Sequence, residues 1–168
     1  GSIGTGGYHG GHFTGTVNFD AQKALTIHSA WTDAGSAGPR TITLWDGYNG
    51  NGNVVQTVTV NIPAGASRID LGLNVPASGQ YSIGLNQADL FRNNAGANYP
   101  YNIVGLMSLT GSSAQSGGDY YYYFYDLEVS EAACWSSSVP VVATISDTAD
   151  FSFSANNLTF NFTDLTPG

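Results

Sequence analysis

Hydrophobic and polar residues alternate along most of the chain, which is the period-two pattern of β-strands with one buried face. The clearest example is Arg68–Val75, in which Ile69, Leu71 and Leu73 share one face. Similar runs predict further strands over residues 13–19, 25–31, 41–46, 54–62, 80–85, 103–110 and 119–129. Turn residues separate the runs, and none of them has a helical period. The pattern therefore predicts an all-β fold: an antiparallel two-sheet β-sandwich of jelly-roll form, with about nine strands.

The stretch from Asp119 to Val129 reads DYYYYFYDLEV and is the most aromatic of the chain. As a single strand it directs Tyr121, Tyr123, Tyr125, Leu127 and Val129 to one face, and the last two mark this face as core. The opposite face carries Tyr120, Tyr122, Phe124, Asp126 and Glu128 and becomes polar at its end. We therefore expect its rings to be partly exposed and able to stack on a flat ligand. The alternative is that a loop or a neighbouring sheet covers them.

Composition divides the chain into four segments. Residues 1–12 are a glycine-rich lead-in, residues 13–130 form the sandwich module, and residues 131–146 are a small, polar linker. In residues 147–168, FSFS and LTFNFT alternate on either side of Asn156-Asn157 and predict a β-hairpin. Because a hairpin is too small to bury a core alone, it either packs on the module as extra strands or begins a following domain.

The charge of the chain disfavours several classes of partner. Its 168 residues include 4 Lys and Arg against 12 Asp and Glu, and the net charge is −8. Nucleic acid and anionic membrane surfaces are poor partners, because each phosphate contact needs a cation. No apolar run is long enough to predict membrane insertion. The single cysteine, Cys134, allows no internal disulfide. Few lysines and many Gly, Asn, Ser, Thr and Tyr residues are typical of extracellular β modules.

Motifs of catalysis are absent from the sequence. It contains no G-x-S-x-G, no H-E-x-x-H and no phosphate-binding loop. A glycosidase needs two carboxylates across a cleft, yet all carboxylates except Asp126 and Glu128 lie at predicted strand ends or turns, where Asp is common for structural reasons. His9 and His12 have a metal-like spacing, but without a third ligand nearby they favour a flexible lead-in. We therefore expect a binding module and not an enzyme.

Two clusters combine aromatic rings with amides, which is the combination that binds sugars: rings contact the C–H face, and amides bind hydroxyls. The first cluster lies at one hairpin and contains Trp45, Asp46, Tyr48, Asn49 and Asn51. The second lies in the aperiodic segment 86–101 and contains Arg92, Asn93, Asn94, Asn98, Tyr99 and Tyr101, with Tyr120 and Tyr122 beside it. Each cluster has an alternative interpretation. Trp45 could pack in the core, with Leu44 pointing outward. The polar side chains of the second cluster could instead form hydrogen bonds with the backbone of their own loop.

Three stretches resemble a module that recurs in large secreted proteins of Bacteroidota. They are NIPAG (Asn61–Gly65), LFRNNAGANYPYNIVGLMSLTGS (Leu90–Ser112) and YYYFYDLEV (Tyr121–Val129). GGHFTGTVNFDAQKALTI resembles the opening strands of that module, so the resemblance covers residues 8–130. Such proteins often carry peptidase or glycan-degrading domains and a type IX sorting tail. The resemblance thus implies export to the cell surface or medium by the type IX route. By analogy with carbohydrate-binding jelly rolls, it also implies non-catalytic binding of polysaccharide.

The resemblance extends to a metal and to the last residues. Jelly-roll binding modules often hold a structural Ca²⁺ near the last strand, and FYDLEV resembles that strand, with Asp126 as the candidate ligand. Alternatively, Asp126 bonds a neighbouring loop. ADFSFSANNLTFNFTDLTPG resembles the first hairpin of a PKD domain, although the Trp-Asp-Phe-Gly-Asp-Gly stretch of that domain is missing. We expect a module that tethers a multi-modular secreted protein to polysaccharide or, alternatively, an adhesion or spacer module of a large cell-surface protein.

Overall fold

The computed structural model describes residues 4–11, 14–85, 88–114 and 119–132, together with the backbone of residues 151–156 and 159–164. The chain divides into two compact units, Gly1–Ala133 and Cys134–Gly168. No helix in the described ranges is long and apolar enough to cross a bilayer.

Twelve strands make up the first unit over its described residues. They are β1 (Gly6–His9), β2 (Gly15–Ala21), β3 (Leu25–Ala34), β4 (Gly38–Asp46), β5 (Asn53–Ile62), β6 (Gly65–Val75), β7 (Gly79–Leu85), β8 (Leu90–Asn93), β9 (Tyr101–Ile103), β10 (Met107–Ser112), β11 (Tyr121–Tyr122) and β12 (Tyr125–Glu131). A short 3-10 turn, Tyr48–Gly50, lies between β4 and β5.

The strands form two antiparallel sheets of six strands each. In the first sheet β3 is central: β6 pairs with it on one side, and β12 and the end of β8 pair with it as well. β1 and β11 both pair with β8. The second sheet has the order β5-β4-β7-β2-β10-β9. The chain passes between the sheets from β2 to β3 to β4, and again from β5 to β6, β7 and β8, which is the alternation of a jelly roll. The all-β two-sheet prediction is confirmed.

Alternate side chains from both sheets form one hydrophobic core. In β6, Ile69, Leu71 and Leu73 are buried, while the residues between them reach water. Each fully buried aliphatic side chain of this kind stabilises the fold by about 1.5–3 kcal/mol relative to an exposed one. The period-two pattern of the sequence therefore identifies the core face of β6 correctly.

The strand count exceeds the prediction because four short strands carry too little pattern to be found. β1 lies within the glycine-rich segment 1–12, where it pairs with β8. β8 falls in the segment 86–101, which was predicted to lack secondary structure, and β9 begins at its last residue, Tyr101. The fourth results from a break in the tyrosine stretch, which forms β11 and β12 and not one strand.

The break in the tyrosine stretch lies at Tyr123, whose φ of 64° is left-handed. The amide of Phe124 then donates to the carbonyl oxygen of Tyr122 at 2.8 Å, which closes a tight turn. All five residues from Tyr121 to Tyr125 are buried. The predicted partial exposure of Tyr122 and Phe124 is therefore wrong, because the turn replaces the two-face alternation on which it depended.

The second unit contains β13 (Phe151–Asn156) and β14 (Thr159–Asp164), which pair antiparallel from Phe151↔Asp164 to Asn156↔Thr159. The predicted hairpin is thus present. The expected linker continues beyond Ala132 into residues 133–146, which lie outside the described part of the chain.

Candidate functional site

Strand β4 positions the first predicted cluster. Ile42 and Leu44 are buried in the core, so Thr41, Thr43 and Trp45 project from the outer face of the second sheet. Trp45 is partly exposed. The alternative in which Trp45 packs in the core with Leu44 outward is therefore wrong.

The turn between β4 and β5 folds back over the outer face of the second sheet. The Tyr48 hydroxyl donates to the Asp20 carboxylate on β2. Asn49 and Asn18 exchange two hydrogen bonds: the Asn18 amide nitrogen donates to the Asn49 side-chain oxygen at 2.7 Å, and the Asn49 backbone amide donates to the Asn18 side-chain oxygen at 2.8 Å. The Gly50 amide donates to Ser82 Oγ at 2.9 Å. These bonds bury Asn18 and Ser82 although both point away from the core.

Glycine and asparagine make this turn possible. Asn49 and Gly50 have φ values of 61° and 70°, a region that glycine enters freely and asparagine enters more readily than other residues. A Cβ at Gly52 would collide with the carbonyl oxygen of Asp46, so no other residue fits there without movement. A Cβ at Gly50 would lie 3.7 Å from both the Trp45 ring and the Thr16 methyl. The turn therefore supports one side of Trp45.

A pocket of about 370 Å³ lies beside Trp45. The residues that line it are Thr14, Pro39, Arg40, Thr41, Thr43, Trp45 and Leu85. Its volume is in the lower part of the range of small-ligand sites. The Arg40 guanidinium is engaged by backbone: Nε donates to the Ala88 carbonyl at 2.9 Å and Nη2 to the Ser36 carbonyl at 2.8 Å. The remaining lining is uncharged and joins one large ring to threonine hydroxyls.

The chemistry of this lining suits stacking and hydrogen bonding. An indole ring offers a flat apolar surface to the C–H face of a pyranose, and threonine hydroxyls both donate and accept hydrogen bonds. Among the described residues that line the pocket, none carries a carboxylate, a thiol or an imidazole.

Tyrosines of the second cluster pack mainly on one another. The rings of Tyr99 and Tyr121 stack with centroids 6.0 Å apart, and Tyr101 meets both rings edge to face, at 5.3 Å from Tyr99 and 5.9 Å from Tyr121. Tyr121 also stacks on Tyr125 at 5.0 Å. Such pairs add about 0.5–1.5 kcal/mol each beyond the area they bury. Tyr99 and Tyr101 keep partial exposure, whereas Tyr121 and Tyr125 are buried.

Hydroxyl groups of this cluster bind protein atoms. Tyr99 donates to the Tyr120 carbonyl at 3.0 Å, Tyr121 to the Phe124 carbonyl at 2.7 Å, and Tyr125 to the Asn93 side-chain oxygen at 2.7 Å. Burial, more than any neighbouring group, raises the pKa of all three phenols well above its ordinary value, so they remain neutral donors at physiological pH.

The other predicted residues of the second cluster surround Arg92. Its guanidinium lies 4.9 Å from the centroid of Tyr120 and 5.8 Å from that of Tyr122, and Nη1 donates to the Tyr122 hydroxyl at 3.4 Å. Tyr122 and Asn93 are buried, and Asn94 is exposed. Arg92 therefore contacts two tyrosine rings that a ligand would need, while Tyr99, Tyr101 and Tyr120 keep partial exposure, as Trp45 and Tyr48 of the first cluster do.

Asp126, the candidate calcium ligand, lies in β12 with a φ of 46°. Its carboxylate forms an ion pair with the Arg68 guanidinium, which also approaches Glu128 Oε1 at 3.4 Å. The Arg68 guanidinium would repel a cation bound at Asp126 Oδ2. No group of three or more His, Cys, Asp or Glu side chains that could hold a metal occurs among the described residues. Of the His9 and His12 pair, His12 lies outside them.

Sequence reasoning missed several residues around Trp45. Thr41 and Thr43 share its face of β4 by simple alternation, so the TITLW run could have indicated them. Leu85 reaches the pocket from β7, the neighbour of β4, and Thr14 from just before β2, which pairs with β7; only the sheet order reveals this arrangement. Of the first cluster, Trp45 lines this concave site, while the second is largely a packed aromatic network in which Tyr101 borders a smaller pocket of about 220 Å³. The chain matches no protein-family model, no curated protein and no solved structure.

Proposed function

We propose that this chain is a non-catalytic carbohydrate-binding module whose binding site is the pocket beside Trp45. The observation that carries the proposal is the pocket itself: a partly exposed indole, supported from one side by a hydrogen-bonded turn, beside threonine hydroxyls on a rigid sheet. A ring held in place before binding loses little conformational entropy when a sugar stacks on it.

The charge of the molecule indicates an uncharged ligand. The net charge of −8 opposes the approach of uronate or sulfated chains, and Arg40, the cation among the described residues of the pocket lining, is engaged by carbonyl groups. Neutral polysaccharide is therefore the proposed partner, and nucleic acid is not.

The biological setting of the proposal comes from the resemblance to modules of secreted Bacteroidota proteins. In that setting the chain acts outside the cell after type IX export and holds a larger polypeptide on polysaccharide. A structural calcium ion remains part of the expectation for such modules, but Asp126 gives it no support.

A second candidate function is that of an adhesion or spacer module in a long surface protein. It is favoured by the second cluster, where the Tyr121 ring stacks on Tyr99 and Tyr125 and the Tyr99 hydroxyl donates to a backbone carbonyl, so that these groups are already engaged within the protein. It is also favoured by the hairpin of the second unit, which resembles the beginning of a PKD domain. A spacer needs no ligand, so it predicts that Trp45 can be replaced without loss of any binding.

Affinity gel electrophoresis tests the proposal with hydroxyethylcellulose, galactomannan, xylan and laminarin as neutral polysaccharides. We expect at least one of them to retard the wild-type chain. Trp45→Ala should weaken that retardation at least about tenfold, because it removes the one large ring among the described residues that line the pocket. Val104→Ala changes a side chain that is 93% exposed in a turn and serves as the control. Equal retardation of wild type and Trp45→Ala would refute the Trp45 pocket as the binding site, and no retardation of wild type in any of these gels would favour the spacer function.

A further inference from the structure

Among the described residues, only two Phe, Tyr or Trp side chains are exposed to solvent, and both lie on the first sheet. Tyr8 is 53% exposed and Trp31 is 40% exposed. Trp31 lies within β3, paired with Arg68 of β6 and Tyr125 of β12, so it is neither at a sheet edge nor in a turn. An exposed tryptophan in the middle of a sheet forgoes a large hydrophobic stabilisation, which makes it informative about binding.

Tyr8 and Trp31 belong to one continuous line of side chains on the outer face. In β3 the alternate residues Ala30, Thr32 and Ala34 are buried, so Trp31 and Asp33 project to the same outer side. The Tyr8 hydroxyl donates to Asp33 Oδ1 at 3.1 Å. Residues two apart in a strand are roughly 7 Å apart, so Trp31 and Asp33 span roughly 7 Å before Tyr8 extends the line. This length exceeds one sugar ring.

Fixed polar groups border the Trp31 ring. Ser29 Oγ donates to Glu128 Oε2 at 2.6 Å and accepts from Arg68 Nη1 at 2.8 Å. The Arg68 guanidinium also pairs with Asp126 and lies 5.8 Å from the centroid of the Trp31 ring. Carboxylates and a guanidinium held in this way can accept from and donate to sugar hydroxyls beside a stacking ring.

We propose that this outer face is a second glycan-binding surface, here called the Trp31 face and made of Tyr8, Trp31, Asp33, Arg68 and Glu128. It takes an extended, uncharged polysaccharide chain along the line from Trp31 to Tyr8. The ligand is uncharged because Asp33, Asp70, Asp126 and Glu128 outnumber Arg68 around the ring, and these carboxylates repel uronates. The proposal shares only its class of ligand with the Trp45 pocket.

Two glycan surfaces on opposite sheets would make the chain bivalent. Because the outer faces of the two sheets point away from each other in a sandwich, one polysaccharide molecule cannot readily cover both at once. The expected consequence is that the protein links separate chains, and that dense polysaccharide binds more tightly than a short oligosaccharide.

The test compares wild type, Trp31→Ala, Trp45→Ala and the double variant in gels that contain the polysaccharide with the strongest retardation. Trp31→Ala should lower the affinity at least about fivefold, and the double variant should migrate as in a gel without polysaccharide. Trp31→Phe should keep part of the binding, and Val104→Ala should keep all of it. Alginate, a polyuronate, should retard none of them.

A fold-independent readout accompanies the gels, since Trp31→Ala could disturb the sheet. In wild-type protein, the indole N–H resonance of Trp31 should shift when hexasaccharide fragments of that polysaccharide are added, and disaccharides should shift it less. The proposal is overturned if the Trp31 resonance does not move and Trp31→Ala is retarded like wild type. In that case, weaker retardation of Trp45→Ala would still support the pocket. If only Trp31→Ala loses retardation, the Trp31 face is supported and the pocket is refuted. If no neutral polysaccharide retards wild type, both sites are refuted.

Discussion

Single residues decide which rings of this sandwich can meet a ligand. Trp45 and Trp31 face outward because their strand neighbours Leu44, Ala30 and Thr32 fill the core. The alternation of TITLW predicted that Trp45 and Leu44 point to opposite faces of the strand. It could not decide which of the two lies in the core, because only the sheet order shows which face of β4 meets the other sheet.

Tyr122 and Phe124 show where residue-level prediction failed. Their exposure was expected from strict alternation, which Tyr123 interrupts with a left-handed backbone. Bulky L-residues rarely adopt this conformation, and no sequence signal marks it. Surrounding packing must impose it, including the 2.7 Å contact between His9 Nδ1 and the Tyr123 hydroxyl.

Gly15 provides a test of how tightly the tyrosine turn packs on β2. A Cβ there would lie 2.7 Å from the Tyr122 ring and would also meet the Tyr123 hydroxyl. We expect Gly15→Ala to lower the free energy of unfolding by about 1–3 kcal/mol, as overpacking does. Gly7→Ala in β1, where a Cβ would meet nothing within 4 Å, should be close to neutral. Urea denaturation measures both, and equal stabilities would show that the turn can move away from β2.

His9 should make stability depend on pH. Burial, followed by the charge of Arg92, lowers the pKa of His9 below its ordinary value of 6.5. The unfolded chain then binds more protons than the folded chain between the lowered pKa and 6.5, so stability falls as pH drops through that window. Urea midpoints at about pH 7.5 and about pH 5.5 should differ more for wild type than for His9→Gln. The same pH dependence in both proteins would contradict this account.

Elements with a long, regular pattern were predicted well, and short ones were not. β3, β5 and β6 have ten or more residues each. β6 shows the core face directly, whereas a register shift after Ile27 moves the core face of β3 from Leu25 and Ile27 to Ala30, Thr32 and Ala34. β1, β8, β9 and β11 have four residues or fewer, too few to display a period. They form because neighbouring strands offer unpaired edges, which is information that a local pattern does not contain.

The turn between β4 and β5 is the element on which the Trp45 pocket depends. Asn49→Gly keeps the left-handed conformation but removes the Asn18 to Asn49 side-chain hydrogen bond, whereas Asn49→Ala also adds backbone strain. We therefore expect Asn49→Ala to be less stable than Asn49→Gly by about 1 kcal/mol in urea denaturation. Both should bind neutral polysaccharide more weakly than wild type. An alanine variant as stable as the glycine variant would show that this turn is not held in the left-handed conformation.

At the scale of the whole molecule, charge separates classes of ligand better than the fold does. The net charge of −8 and the stacking surfaces both favour neutral glycans. Because stacking and hydroxyl hydrogen bonds are little screened, the affinity for neutral polysaccharide should stay constant between about 0.05 M and about 0.5 M NaCl. Affinity gels at the two salt concentrations measure this. A loss of binding at high salt would indicate an ionic mode that involves Arg40, Arg68 or Arg92.

The central claim concerns the pocket beside Trp45, and an NMR titration of the ¹⁵N-labelled chain with neutral hexasaccharides of glucose, mannose and xylose tests it most directly. One of these sugars should shift the amides of Thr14, Thr41 and Thr43 and the indole N–H of Trp45, and the sugar should remain intact at the end. Unchanged resonances around Trp45 under all three sugars, or a sugar shortened during the titration, would contradict a non-catalytic glycan site in this pocket.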